Sequence, residues 1–197
     1  MEGVTAAPAR HLVEFSQVEF ADRLTEALQI YVMAMGYPAS TARHRRTLWL
    51  DHTGRPGWRA VGWLDAHGTL LGIAYGYTGG PGQWWFEEVR RGLLATAGAP
   101  SLWMHDYFEL TELHVLPHAQ GGGLGEGLLR ALLAGTPRSR VLLSTPEYGP
   151  NPPGRAWRLY RRAGFRDVLR DHRFTGDARP FAVLGRELPL PPPHRSA

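Results

Sequence analysis

Along RLTEALQIYVMAM, the apolar residues Leu24, Leu28, Tyr31, Val32 and Met35 recur at spacings of three and four. That period gathers them on one face of a helix. Asp22 is placed to cap this helix, and Gly36-Tyr37-Pro38 to end it. A second helix is predicted over 41–50. Before them, His11–Phe15 alternates as a short strand. WRAVGWLD (58–65) and TLLGIAYGYT (69–78) read as strands joined by the hairpin-like turn AHG. The stretch 79–106 opens on a Gly/Pro-rich break and reads as an irregular insert with one helical piece, EEVRRGLL. YFELTELHVL (107–116) is a strand closed by Pro117. A glycine-rich turn follows, then an apolar helix running to about Gly135.

The C-terminal third continues the alternation. VLLST (141–145) is a buried strand, RAWRLYRRAG an amphipathic helix ended by Gly164, and FRDVLRDHRF and PFAVLGREL the last two strands. The order β-α-α-β-β-β-α-β-α-β-β predicts an α/β (α+β) single domain over 11–187 with a mixed sheet. Residues 1–10 and 188–197 read as flexible termini.

Composition narrows the classes. The chain has 197 residues, of which 43% are hydrophobic and 20% charged, so it can bury a core and is not a disordered chain. It has no cysteine, which removes disulfides and thiolate metal sites and fits a cytoplasmic location. No apolar run approaches the ~20 residues that span a bilayer, and no signal-peptide pattern opens the chain. The formal charge is +4, and all of the 22 basic residues are arginine. The one tight basic cluster, RHRR at 43–46, reads as a solvated helix face, so neither nucleic acid nor membrane is an expected partner. The histidines His11, His44, His52 and His67 show no ligand spacing, so no metal is expected.

The turn within PHAQGGGLGEGLLRALLAG demands an explanation, because glycine before a helix loses the most conformational freedom on folding. A strand, a bare turn and a helix N-terminus together make an anion site, since the first-turn amides lack helical partners and the dipole favours negative charge. A Walker loop needs lysine, which the chain lacks. A dinucleotide fingerprint fails because Glu126 stands where its third glycine belongs. The pattern that fits is Q-x-x-G-x-G: Gln120, Gly121, Gly122, Gly123, Leu124, Gly125.

LHVLPHAQGGGLGEGLLRALL resembles the coenzyme A-binding motif of the GCN5-related N-acetyltransferases, and AWRLYRRAGF (156–165) is similar to the same family's A-x-x-L-Y-x-x-x-G-F segment. Both occur in the family's order, separated by a strand. The resemblance covers roughly residues 11–187. It implies a mostly antiparallel, twisted sheet flanked by helices, and acetyl-CoA as acyl donor. It also implies that backbone groups of Leu113, His114 and Val115 pair with the pantetheine arm, and that residues Gln120 through Glu126 hold the pyrophosphate. Two departures stand out. The turn carries Gly121 and Gly122 where relatives often carry Arg or Lys, which leaves the phosphates to backbone amides and outlying arginines. Asn151 is displaced by a Pro-Pro-Gly insertion.

Acyl transfer to an amine needs the neutral amine, yet at a pKa of about 10.4 only about one alkylamine in a thousand is neutral at pH 7. A general base is therefore required, with donors for the oxyanion and an acid for the departing thiolate. The resemblance assigns Tyr160 as acid and suggests the Val115 amide as oxyanion donor. The base is Glu112 or Glu109. They are three apart and face opposite sides of a regular strand, unless a bulge shifts the register. His114 is read as a ring lining the site.

The predicted activity is acetyl-CoA-dependent N-acetylation of a primary amine on a small molecule or a protein; the rival reading is a non-catalytic acyl-CoA sensor. The rings of Trp84, Trp85, Phe86, Trp103, His105 and Tyr107 in the insert and its edge either cover the sheet as core or line a substrate pocket or homodimer contact.

Overall fold

The computed structural model describes residues 9–98, 101–147 and 154–192. Seven strands form one sheet in the order β1-β2-β3-β4-β5-β7-β6. They are β1 (His11–Phe15), β2 (Arg59–Leu64), β3 (Leu70–Thr78), β4 (Tyr107–Val115), β5 (Arg140–Pro146), β6 (Arg166–His172) and β7 (Phe181–Glu187). β4 and β5 run parallel. The β1/β2, β5/β7 and β6/β7 pairs are antiparallel, which gives a mixed and mostly antiparallel sheet. The strands predicted from alternation all form, within a residue or two of the expected ends.

The helices are α1 (Gln17–Asp22), α2 (Leu24–Met35), α3 (Ser40–Thr53), α4 (Trp84–Ala97), α5 (Leu124–Ala134) and α6 (Arg155–Arg162). Three differ from expectation, and one of them is α3, which runs three residues past its predicted end at 50. Asp22 does not cap α2; it ends α1, a short helix absent from the predicted order. Ser16 caps α1 through a capping box: its hydroxyl accepts from the Glu19 amide at 3.3 Å, and the Glu19 carboxylate accepts from the Ser16 amide at 2.8 Å. The signal for it, S-x-x-E, stands in the sequence at 16–19. The helical piece of the insert also extends further, through all of Trp84–Ala97.

The chain divides into two compact units, Met1–Tyr75 with Glu112–Leu132, and Gly76–Thr111 with Leu133–Ala197. The first is centred on an aromatic group: Trp49 lies 5.6 Å from Tyr31 and 5.1 Å from Tyr75, and Phe20 packs on Trp49 and Tyr75. These rings are essentially fully buried. Burial of such large apolar surface dominates the stability of the unit. The second is centred on Trp85, Phe86, Val89, Tyr107 and Phe174. Trp85, Phe86 and Tyr107 are thus core, whereas Trp84 is 55% exposed. Of the predicted end segments 1–10 and 188–197, residues 1–8 and 193–197 lie outside the described residues, as does Asn151.

Candidate active site

β4 carries one residue more than the strand it lies against. The Gly79 amide donates to the Tyr107 carbonyl at 3.1 Å, and the Leu116 amide donates to the Leu71 carbonyl at 2.9 Å. From Tyr107 to Leu116 is nine steps; from Gly79 back to Leu71 is eight. The surplus lies between Glu109 and His114. A Cβ on Gly76 would meet the Glu109 carbonyl oxygen at 2.1 Å, and one on Gly72 would meet the His114 carbonyl oxygen at 3.0 Å. Four steps on β3 therefore match five on β4, which is a β-bulge.

The two glutamates, Glu109 and Glu112, have different partners. In a regular strand they would point to opposite sides. Here Glu109 accepts a hydrogen bond from the Tyr77 hydroxyl at 2.8 Å and is 3% exposed. Glu112 belongs to the first unit. Its carboxylate Oε2 is 2.6 Å from His114 Nε2, with side-chain exposures of 16% and 10%. The His114 ring meets Tyr31 edge-on at 5.1 Å, and Tyr31 rests on the same Trp49 as Tyr75.

Tyr31 joins this cluster without a sequence signal, since its spacing marks it only as a core position of α2. Burial first, and then the Glu112 carboxylate, push its hydroxyl up to about 12; a hydrogen bond from Arg45 and that residue's charge act the other way. At neutral pH Tyr31 therefore keeps its proton. The cluster combines an acceptor carboxylate, an imidazole and a phenol, the groups needed to take a proton from an ammonium and orient the amine.

Peptide groups alternate between the edges of a strand. The His114 carbonyl and the Leu116 amide face β3. The amides of Leu113 and Val115 consequently face the other edge, where an extended ligand arm could pair. The Val115 carbonyl on that edge accepts from the Gln120 side chain at 2.9 Å, which ties the turn to the strand end.

The turn then enters α5. Gly121 and Gly123 have φ of 92° and 78°, a region that costs an L-residue roughly 1–2 kcal/mol. Beyond the immediate chain neighbours, no heavy atom of the described residues lies within 4 Å of a Cβ placed on either. The first-turn amides of Leu124, Gly125 and Glu126 have no acceptor inside the helix, whose bonding begins with the Gly127 amide on the Gly123 carbonyl at 3.0 Å. Bare backbone, open space and amides without a partner in the helix fit a phosphate-bearing ligand such as coenzyme A. Glu126 does not oppose it, because Arg130 Nε engages its carboxylate at 2.9 Å. Trp63 anchors this end of α5: its Nε1 donates to the Leu124 carbonyl at 3.1 Å, and a Cβ on Gly127 would meet its ring at 2.9 Å.

Tyr160 belongs to the second unit. It is 7% exposed on α6, 5.5 Å from the Phe165 ring. The Phe165 amide closes the end of the helix on the Tyr160 carbonyl at 2.9 Å. Trp157, one turn before it, donates to the Pro146 carbonyl at 2.9 Å and carries the guanidinium groups of Arg161 and Arg170 at 5.0 and 5.3 Å. Among the described residues no group of three or more His, Asp or Glu is arranged to hold a metal ion. None of their helices is long and apolar enough to cross a membrane.

No protein-family model matches the chain. A curated protein of Mycobacterium tuberculosis, GCN5-like protein acetyltransferase Rv2170, is 46% identical over 204 aligned positions, spanning 91% of this chain and 98% of that protein. Solved structures share the fold at low identity. The ribosomal-protein-S18-alanine N-acetyltransferase of Escherichia coli superposes with a TM-score of 0.60 at 15% identity, covering 96% of this chain and 100% of that one. A GNAT-family acetyltransferase of Bacillus cereus gives 0.59 at 15%, over 91% and 97%. The PaiA N-acetyltransferase of Thermoplasma acidophilum, solved with coenzyme A, gives 0.58 at 14%, over 91% and 99%.

Proposed function

The chain belongs to the GCN5-related N-acetyltransferases, whose acyl donor is acetyl-CoA, and from that premise we propose that it acetylates a primary amine of a protein. Residues 11–187 act as the catalytic domain, in the cytoplasm. The 46% identical relative is named a protein acetyltransferase, which favours a protein amino group over a small-molecule amine as acceptor. Acetyl-CoA supplies the acyl group activated as a thioester.

The observation that carries the reading is the open glycine turn at the head of α5, with Gly121 and Gly123 in the left-handed region. The amides from Gly121 to Glu126 would hold the pyrophosphate. Leu113 and Val115 would pair with the pantetheine arm through the edge turned away from β3, and the Val115 amide would steady the acyl oxygen. Glu112, braced by His114, would take the proton of the amine. Glu109 is the lesser candidate for base, because it is buried against Tyr77. Tyr160 would return a proton to the departing sulfur, a role open to a phenol because at an ordinary pKa of about 10 it still bears its proton at neutral pH.

Calorimetry with acetyl-CoA, followed by thiol release across a panel of peptides and small amines, tests this. Saturable binding with turnover on peptide amines is the expected result. Turnover confined to small amines overturns the acceptor assignment, and no binding at millimolar acetyl-CoA overturns the whole reading.

A further inference from the structure

The turn Gln120-Gly121-Gly122-Gly123 has no cation of its own, and the chain has no lysine to supply one. Backbone amides and a helix dipole offer only partial charges to a diphosphate. A full positive charge nevertheless reaches the turn. A Cβ on Gly122 would have two heavy atoms within 4 Å: Arg10 Nη1 at 3.4 Å and Leu124 Cδ1 at 3.5 Å. Arg10 directly precedes β1 and is exposed.

Its position follows from the packing of the first unit. β1 lies on β2 with His11 opposite Leu64 and Leu12 opposite Trp63. Trp63 is the residue that grips the first turn of α5, through the Leu124 carbonyl and the surface bared by Gly127. The strand that Arg10 precedes is thus registered, through Trp63, on the helix end that the glycine turn feeds. The one carboxylate in the first turn of α5, Glu126, is engaged by Arg130, so it does not draw the Arg10 guanidinium away from the turn.

We propose that Arg10 is the cationic ligand of the coenzyme's pyrophosphate, delivered from the position just before β1 to a turn that carries no basic residue of its own. This rests on the acetyl-CoA reading of the glycine turn. A guanidinium offers two parallel N–H donors to phosphate oxygens, and gains strength near oriented amides. The missing bulk at Gly121 and Gly122 leaves the space through which it reaches.

The test compares Arg10→Ala and Arg10→Lys with the wild type on three acyl donors. These are acetyl-CoA, its 3′-dephospho form, and S-acetylpantetheine, which carries no phosphate. Arg10→Ala is expected to raise KM about tenfold for both phosphorylated donors, the scale of one lost charged hydrogen bond. It is expected to leave KM for S-acetylpantetheine and the melting temperature unchanged, while Arg10→Lys recovers part of the loss. An unchanged KM for acetyl-CoA overturns the inference. So does a loss that persists with S-acetylpantetheine, or one that disappears with the 3′-dephospho donor, which would place Arg10 on the other phosphate. A wild-type protein that ignores acetyl-CoA fails the parent reading instead, and is distinguished because no variant is then needed.

Discussion

His114 Nε2 and Glu112 Oε2 lie 2.6 Å apart on one face of β4, both largely shielded from water. A ring nitrogen that donates to a carboxylate fixes the imidazole tautomer and holds the carboxylate in place. Glu112→Gln keeps the shape and removes the basicity. It should lower kcat by about a hundredfold, the lower end of general-base contributions, with little change in acetyl-CoA affinity. An acceptor amine of low pKa is already neutral and should narrow the gap to wild type. Equal losses for strongly and weakly basic acceptors would remove Glu112 from the base role.

The acid is tested separately. Tyr160→Phe preserves the ring that packs on Phe165 and removes only the hydroxyl. Turnover should fall roughly 10- to 100-fold while acetyl-CoA binding by calorimetry stays within about twofold, since the lost group acts only as the sulfur departs. Matching turnover in both proteins would return Tyr160 to a packing role.

Much of this was legible before any coordinates. The period-2 and period-3.6 stretches announced the strands and most helices, and the glycine turn and the L-Y-x-x-x-G-F segment announced the family. What stayed hidden depends on register and on partners distant in sequence. The bulge between Glu109 and His114 shows only when β4 is counted against β3. No local pattern ties Trp63 to Leu124 or brings Arg10 to Gly122, because both follow from how β1 and β2 meet α5. The capping box at Ser16 is local and readable in S-x-x-E, whereas Asp22, next to the longer apolar stripe, ends α1 instead of capping α2.

The glycines of the turn should differ in what they tolerate. Gly123 has φ of 78°, so Gly123→Ala strains the backbone even though the space around it is open. A cost of about 1–2 kcal/mol in stability is expected, with a marked loss of acetyl-CoA affinity as the turn rearranges. Gly122 is not left-handed, and a Cβ there meets only side-chain tips at 3.4 and 3.5 Å. Gly122→Ala should therefore unfold within about 0.5 kcal/mol of wild type. Denaturant melts of the two variants decide it; equal destabilisation would mean that backbone angle is not what the turn requires.

Gly127 answers to packing rather than angle. A Cβ there would sit 2.9 Å from the Trp63 ring. Gly127→Ala should push Trp63 off the helix end, break its bond to the Leu124 carbonyl, and cost about 1–3 kcal/mol as overpacking does. Trp63 fluorescence in a background with the other tryptophans unchanged should shift toward that of a wetter indole. An unperturbed spectrum and melt would show that the contact yields freely.

A buried histidine gives the fold its own acid sensitivity. His52 is 5% exposed, with Nδ1 3.1 Å from the Tyr75 hydroxyl. Burial foremost, then the charges of Arg55 and Arg45, push its imidazole down to about 4. An unfolded chain takes up that proton near pH 6.5. Between about pH 6.5 and 4 the unfolded state thus holds more protons, and stability present above pH 6.5 is lost as pH falls through that window. The effect is on the order of 3 kcal/mol, at about 1.36 kcal/mol per pKa unit. His172 is pushed in the same direction, again mainly by burial, so the comparison must isolate His52. His52→Gln keeps a polar neighbour for Tyr75 and cannot titrate. Urea midpoints measured at pH 7 and pH 5 should drop further for the wild type than for His52→Gln; parallel drops would show that the acid sensitivity arises elsewhere.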